Sequence, residues 1–211
     1  MRLFIVAEYE GGYRRNEKIM SVYVVSFKDH VPYGACVINT TSRSNNWSRG
    51  LSPFFLGPVN LYKDFVAQNV ENAWQFSKVY KQHVGEDNEP TEEYFEWAQK
   101  GWNDKWAHRY PMGRGAKPEY SYWDGNHLDY INARKNIYIP LYAKAVVNTP
   151  TFRHLKKLAD KQDIYLQDFD AYNHKAMEWS FQDVMNCTTK KMGHAFVLAM
   201  LLEDKLNLDV D

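Results

Sequence analysis

The apolar pattern changes period once along the chain, and that change limits the fold more than any other feature. Up to about residue 40 it reads as strands. Leu3–Ala7 is a short apolar run, Gly11-Gly12 is a turn signal, and Met20–Phe27 is rich in β-branched and aromatic residues. Ala35–Ile38 reads as a further short strand, set off by Pro32 and Gly34. Ser42–Gly50 is a polar loop. After residue 65 the pattern turns helical. Val70, Ala73, Trp74, Ser77 and Tyr80 follow helical spacing and predict an amphipathic helix over Asn69–His83. A second helix is predicted from an N-cap at Thr91 to Lys100, with Gly101 as its stop. Residues 108–127 read as irregular. Leu128–Val147 reads as a helix kinked or broken at Pro140, Thr151–Asp160 as a short basic helix, and Ile164–Tyr172 as holding a short strand. Gly193–Lys205 is a strongly apolar helix. Strands followed by helices predict an α+β fold, predominantly helical.

With 211 residues the chain fits one domain able to bury a core. The longest apolar run, Ala195–Leu202, is too short for a membrane span, and no stretch near Met1 has signal-peptide character. Cys36 and Cys187 are too few for a disulfide framework, so a reducing, cytoplasmic location is the expectation. The formal net charge is zero, so any basic surface must be local. Aromatic residues reach 16%, with 7 Trp and 15 Tyr. Such rings fill cores, and they also line pockets that stack bases or sugars.

Three groups of residues carry possible chemistry. On the first helix Glu71, Gln75 and Lys78 fall within roughly 60° of one another on a helical wheel. Glu71 and Lys78 stand roughly 10 Å apart along the axis, too far for a good direct ion pair. Both a solvated stripe and a pair facing a ligand fit that spacing. In Trp102–Gly125, Lys105, Arg109, Arg114 and Lys117 are interleaved with Trp102, Trp106, Tyr110, Tyr120, Tyr122 and Trp123. Arginine offers a planar fork to phosphate, rings offer stacking faces, and Gly113 and Gly115 let backbone approach an anion. The spacing is not that of a Walker A loop, and an ordered surface loop is the alternative. Asp168-Phe-Asp170 with His174 offers metal-ligand types, but a strand end followed by an Asx-type turn accounts for it better. No metal or other cofactor is expected. His194 reads as a capped or buried structural histidine.

Leu51-Ser-Pro-Phe-Phe followed by Val70-Glu-Asn-Ala-Trp-Gln-Phe-Ser-Lys78 resembles the opening signature of the NADAR superfamily, the YbiA-like proteins. There a Leu-Ser-Asn-Phe motif precedes a helix with Val-Glu-x-x-x-Gln-x-x-Lys. Gly113-Arg114, Trp123-Asp124, Ala133-Arg134 with Lys144, and the Gly193-led apolar helix are similar to later family features in the same order. Pro53 stands where the family usually has Asn. The resemblance spans roughly residues 35–203. It implies a NADAR-like core over 35–205, with the strands of 1–34 as an embellishment.

The resemblance also implies an activity: hydrolysis of the N-glycosidic bond between ADP-ribose and a nucleobase, in one branch ADP-ribosylated guanine in DNA, opposing DarT-type toxins in phage defence. Glu71 would stabilise an oxocarbenium-like sugar. Lys78 would protonate or anchor the leaving base, or attack the sugar carbon to form a Schiff base. Ser52, Phe54, Trp74, Gln75, Arg109, Gly113, Arg114, Lys117, Trp123 and Asp124 would bind substrate. The implied partner is ADP-ribosylated DNA or an ADP-ribose-like nucleotide. A non-catalytic protein that caps a host toxin, and a small-molecule nucleotide N-glycosidase, are the alternatives.

Overall fold

A computed structural model describes residues 20–206. The strand expected at Leu3–Ala7 and the turn at Gly11-Gly12 lie outside the described residues. The described elements are β1 (Val22–Val25), β2 (Cys36–Asn39), β3 (Val59–Asn60), β4 (Val66–Ala67), α1 (Val70–Gln75), β5 (Lys78–Val79), α2 (Glu92–Asn103), β6 (Tyr120–Trp123), β7 (Asn126–Leu128), α3 (Tyr130–Ala133), α4 (Ile139–Val147), α5 (Pro150–Ala159), β8 (Ile164–Gln167), α6 (Phe181–Asn186) and α7 (His194–Leu202). Of the described residues helix takes 39% and strand 14%, so the domain is mixed α+β. The predominance of helix expected from sequence is not reached, because most helices are short and long connections join them. Among the described residues no helix is long and apolar enough to cross a membrane.

The central sheet is parallel, in the order β1-β8-β2, with Val22 and Cys36 both opposite Ile164. On β8, Ile164 and Leu166 are fully buried, while Tyr165 stacks on Tyr23 at 4.6 Å. Val22, Val24 and Val25 of β1 are buried against this sheet. Residues 22–25 are therefore core, not embellishment, because β8 has no other partner on that edge. Seven consecutive residues of α7, His194 to Met200, are buried. A helix apolar on every side belongs inside, and α7 packs against the sheet and α4.

Three expectations fail for physical reasons. The helix predicted over Asn69–His83 stops at Gln75. Phe76 closes it, and Lys78–Val79 pairs with β6 instead. Gly101 does not stop α2. It lies inside the helix, where a Cβ would collide with the Phe76 ring. The stretch 108–127 is not wholly irregular, since β6 and β7 form a hairpin closed by Asp124-Gly125, both at positive φ. Around Pro140 the helical ladder changes character, where a kink or break is expected. A π turn over Arg134–Tyr138 joins α3 to α4, just before the proline that lacks the N–H to continue the ladder.

Candidate active site

In parallel sheets ligands bind beyond the carboxyl ends of the strands, where the backbone diverges. Here Thr41 and Ser42 follow β2, and Asp168, Phe169 and Asp170 follow β8. They line one side of a cleft of about 530 Å³. The other sides come from α1, the Arg109–Pro118 loop, the π turn and the Thr188–Gly193 loop. A volume of this size suits a nucleotide-sized ligand.

The α1 wall carries a polar chain. Asn69 caps the helix through its side chain, which accepts from Asn72 N at 2.8 Å. The Asn72 amide in turn donates to the carbonyls of Asp104 and Trp106 and accepts from His108 N, pinning the start of the basic-aromatic loop. Glu71 is only 6% exposed. Its Oε1 accepts from Gln75 Nε2 at 2.9 Å, and Gln75 Oε1 accepts from Lys78 Nζ at 2.6 Å. One amide thus joins carboxylate to ammonium. Lys78 Nζ also sits 4.7 Å from the centre of the Trp74 ring. Burial pushes the Glu71 carboxyl above the usual range, against the Gln75 hydrogen bond and the pull of Lys78, Arg109 and His194. Burial likewise pushes Lys78 down to about 8, opposed by Glu71 and helped by Lys191.

A second buried carboxylate lines the cleft. Asp168 Oδ2 lies 3.0 Å from His194 Nδ1, and His194 Nε2 lies 2.8 Å from the Thr40 carbonyl. Both ring nitrogens face acceptors, which both require an N–H, so the ring is an imidazolium. Burial opposes its charge, but Asp168 and the Thr40 carbonyl raise its pKa. Burial also opposes the Asp168 charge. The imidazolium and the N–H groups of Phe169 and Ala195 outweigh it and hold the carboxyl below the usual range. Gly193 makes this possible, since a Cβ there would collide with the Asp168 carboxylate.

Of the residues expected to form a site, Ser52, Glu71, Trp74, Gln75, Lys78, Arg109 and Gly113 line the cleft. Arg109 also pairs with Asp170 at 3.1 Å. The structure does not bring the other five to the cleft. Phe54 is half-buried outside it, Arg114 lies exposed beside the Tyr110 ring, and Lys117 is exposed. Trp123 packs edge-on against Tyr62 at 4.9 Å, and Asp124 forms the exposed hairpin turn. Both belong to a hairpin whose register fixes them away from the cleft. His194 is buried as expected, yet it also lines the cleft. Asp168 and Asp170 line it too, as partners of His194 and Arg109. Among the described residues no three His, Cys, Asp or Glu side chains are placed to hold one metal ion. Tyr138, Arg134, Lys190 and Lys191 line the cleft without having been singled out as a site. The length and aromatic content of a loop are visible in sequence, whereas these four depend on how the π turn and the 187–193 loop come together.

Residues 21–180 match the model of a family described as "Family of unknown function (DUF6939)". The chain belongs to this family. The matched stretch takes in β1 at one end and reaches the residue before α6, so it holds the α1 wall and Asp168 but not His194. No curated protein matches the chain.

Proposed function

We propose that the protein is an N-glycosidase that hydrolyses the bond between ADP-ribose and a nucleobase, with ADP-ribosylated guanine in DNA as its substrate. The observation that supports this most is the line Glu71–Gln75–Lys78 in the wall of a cleft rich in cations. Cleaving a nucleobase from ribose leaves positive charge on the sugar and an electron pair on the base. A buried carboxylate facing the sugar stabilises the first and takes a proton from the attacking water. An ammonium facing the base supplies a proton to the second. Water adds hydroxide to the sugar carbon, and the base leaves protonated. Gln75 keeps the two groups apart, so that they do not neutralise each other by direct contact. On this reading the enzyme reverses the action of a DarT-type toxin. The NADAR-like spacing of these three residues points the same way.

The test is incubation with ADP-ribosylated DNA and chromatography of the released ADP-ribose. Glu71→Gln is expected to cut turnover by at least about a hundredfold, the usual scale for losing such a group. Absence of release by the unaltered protein would sink the proposal. Protection of cells from a toxin without any release would favour toxin capping instead.

A further inference from the structure

The charges lining the cleft do not balance. Lys78, Arg109, Arg134, Lys190, Lys191 and the His194 imidazolium face three carboxylates, Glu71, Asp168 and Asp170. Two of those carboxylates are already committed, Asp168 to His194 and Asp170 to Arg109. Among the described residues, Arg134, Lys190 and Lys191 form no ion pair.

The Arg134 arrangement is the more telling. This guanidinium is 2% exposed and donates to the carbonyls of Val184, Met185, Cys187 and Lys190. It gathers the carbonyl oxygens at the end of α6 and in the following loop onto itself. Those oxygens would otherwise repel an anion. Thr188, Thr189, Lys190 and Lys191 of the same loop line the cleft, with the Thr189 hydroxyl 3.4 Å from Cys187 Sγ. Lys190 Nζ lies 5.0 Å from the centre of the Tyr172 ring, a cation–π contact. A buried guanidinium that draws the loop carbonyls onto itself, beside two lysines without an ion pair, has the makings of an anion site.

We infer that the Thr188–Lys191 loop is a phosphate subsite that takes the diphosphate of a nucleotide bound in the cleft. The inference deepens the glycosidase proposal and rests on it for the choice of ADP-ribose as the nucleotide. Arg114 and Lys117, expected to bind substrate, lie outside the cleft, whereas the Thr188–Lys191 loop lines it.

Calorimetric titration of the full chain tests it, with ADP-ribose, inorganic pyrophosphate, adenosine and a short unmodified single-stranded DNA as probes. The double variant Lys190→Ala/Lys191→Ala alters only exposed side chains, so it should fold. It is expected to weaken ADP-ribose and pyrophosphate by at least about tenfold, with a shallower salt dependence, and to leave adenosine unchanged. Unchanged affinity for ADP-ribose and pyrophosphate would overturn the subsite. So would an equal loss for unmodified DNA, which would make the loop a contact for nucleic-acid backbone. Binding is read without turnover, so the two proposals fail separately. A protein that never releases ADP-ribose but loses pyrophosphate affinity in the variant keeps the subsite and loses the glycosidase. A protein that releases ADP-ribose while the variant binds normally does the reverse.

Discussion

Glu71 and Asp168 are both buried carboxylates lining one cleft, and their surroundings push them in opposite directions. Glu71 receives one amide hydrogen bond and feels its cations only at a distance. Asp168 has an imidazolium at 3.0 Å and two backbone N–H groups. The first is held above the usual carboxylate range and the second below it. Pairs of carboxylates separated in this way mark a division of labour. Glu71 is suited to chemistry, and Asp168 to holding the ends of β2, β8 and α7 together.

The sharpest way to break this comparison is to neutralise the lowered partner. Asp168→Asn leaves the buried His194 without its counter-charge and is expected to cost about 3–5 kcal/mol of stability in urea unfolding. A loss below about 1 kcal/mol would mean that the pair holds nothing together. The pH dependence has a definite sign. His194 is raised, so its contribution is complete below the ordinary histidine value of 6.5 and fades as pH climbs through its folded value. Asp168 is lowered, so its contribution is present above the ordinary value of 3.8 and fades as pH falls through its folded value. The difference between unaltered protein and Asp168→Asn should therefore be greatest between those two pH values.

Next in size is the pH profile of turnover. With Glu71 required as carboxylate and Lys78 as ammonium, kcat/KM should rise as Glu71 ionises, above the usual carboxylate range. It should fall about tenfold per pH unit beyond about 8, as Lys78 loses its proton. Lys78→Arg should abolish the alkaline limb at whatever activity remains. A limb that stays near 8 in that variant would assign it to another group.

The smallest effect carries the opposite sign to the first. A raised carboxyl pKa means that folding disfavours the Glu71 charge, and that cost is present at neutral pH and vanishes on acidification. Glu71→Gln keeps an oxygen to accept from Gln75 and removes the charge. It is expected to raise Tm at pH 7 by about 2–4 °C, the equivalent of about 1 kcal/mol in a chain of this size. A lowered Tm would show that Glu71 is held for stability after all, like Asp168.

The two carboxylates also differ in how legible they were. Glu71, Gln75 and Lys78 lie within eight residues, so spacing alone brings them to one wall. Even so, the helix ends at Gln75, because pairing of Lys78–Val79 with β6 overrides the helical period. Asp168 and His194 are 26 residues apart, and their contact depends on Gly193 letting α7 start against the end of β8. No local pattern encodes such a meeting. The Asp124-Gly125 dipeptide signals a hairpin turn, but the aromatic and basic residues around it are equally those of a loop. The strand at Met20–Phe27 was legible, but its place in the central sheet was not, since its partner β8 lies far along the chain.

That separation has a consequence for how the chain is made. Val22 pairs with Ile164, 142 residues later. Both outer strands of the central sheet leave the ribosome before the strand that joins them, and α7, which fills the interior, follows later still. At roughly 5–20 residues per second, β1 waits roughly 7–28 s with its valines and backbone edge uncovered. Contacts between such distant segments also slow folding once the chain is free. The newborn protein passes through an interval in which self-association competes with its own assembly, and a holding chaperone would matter most then.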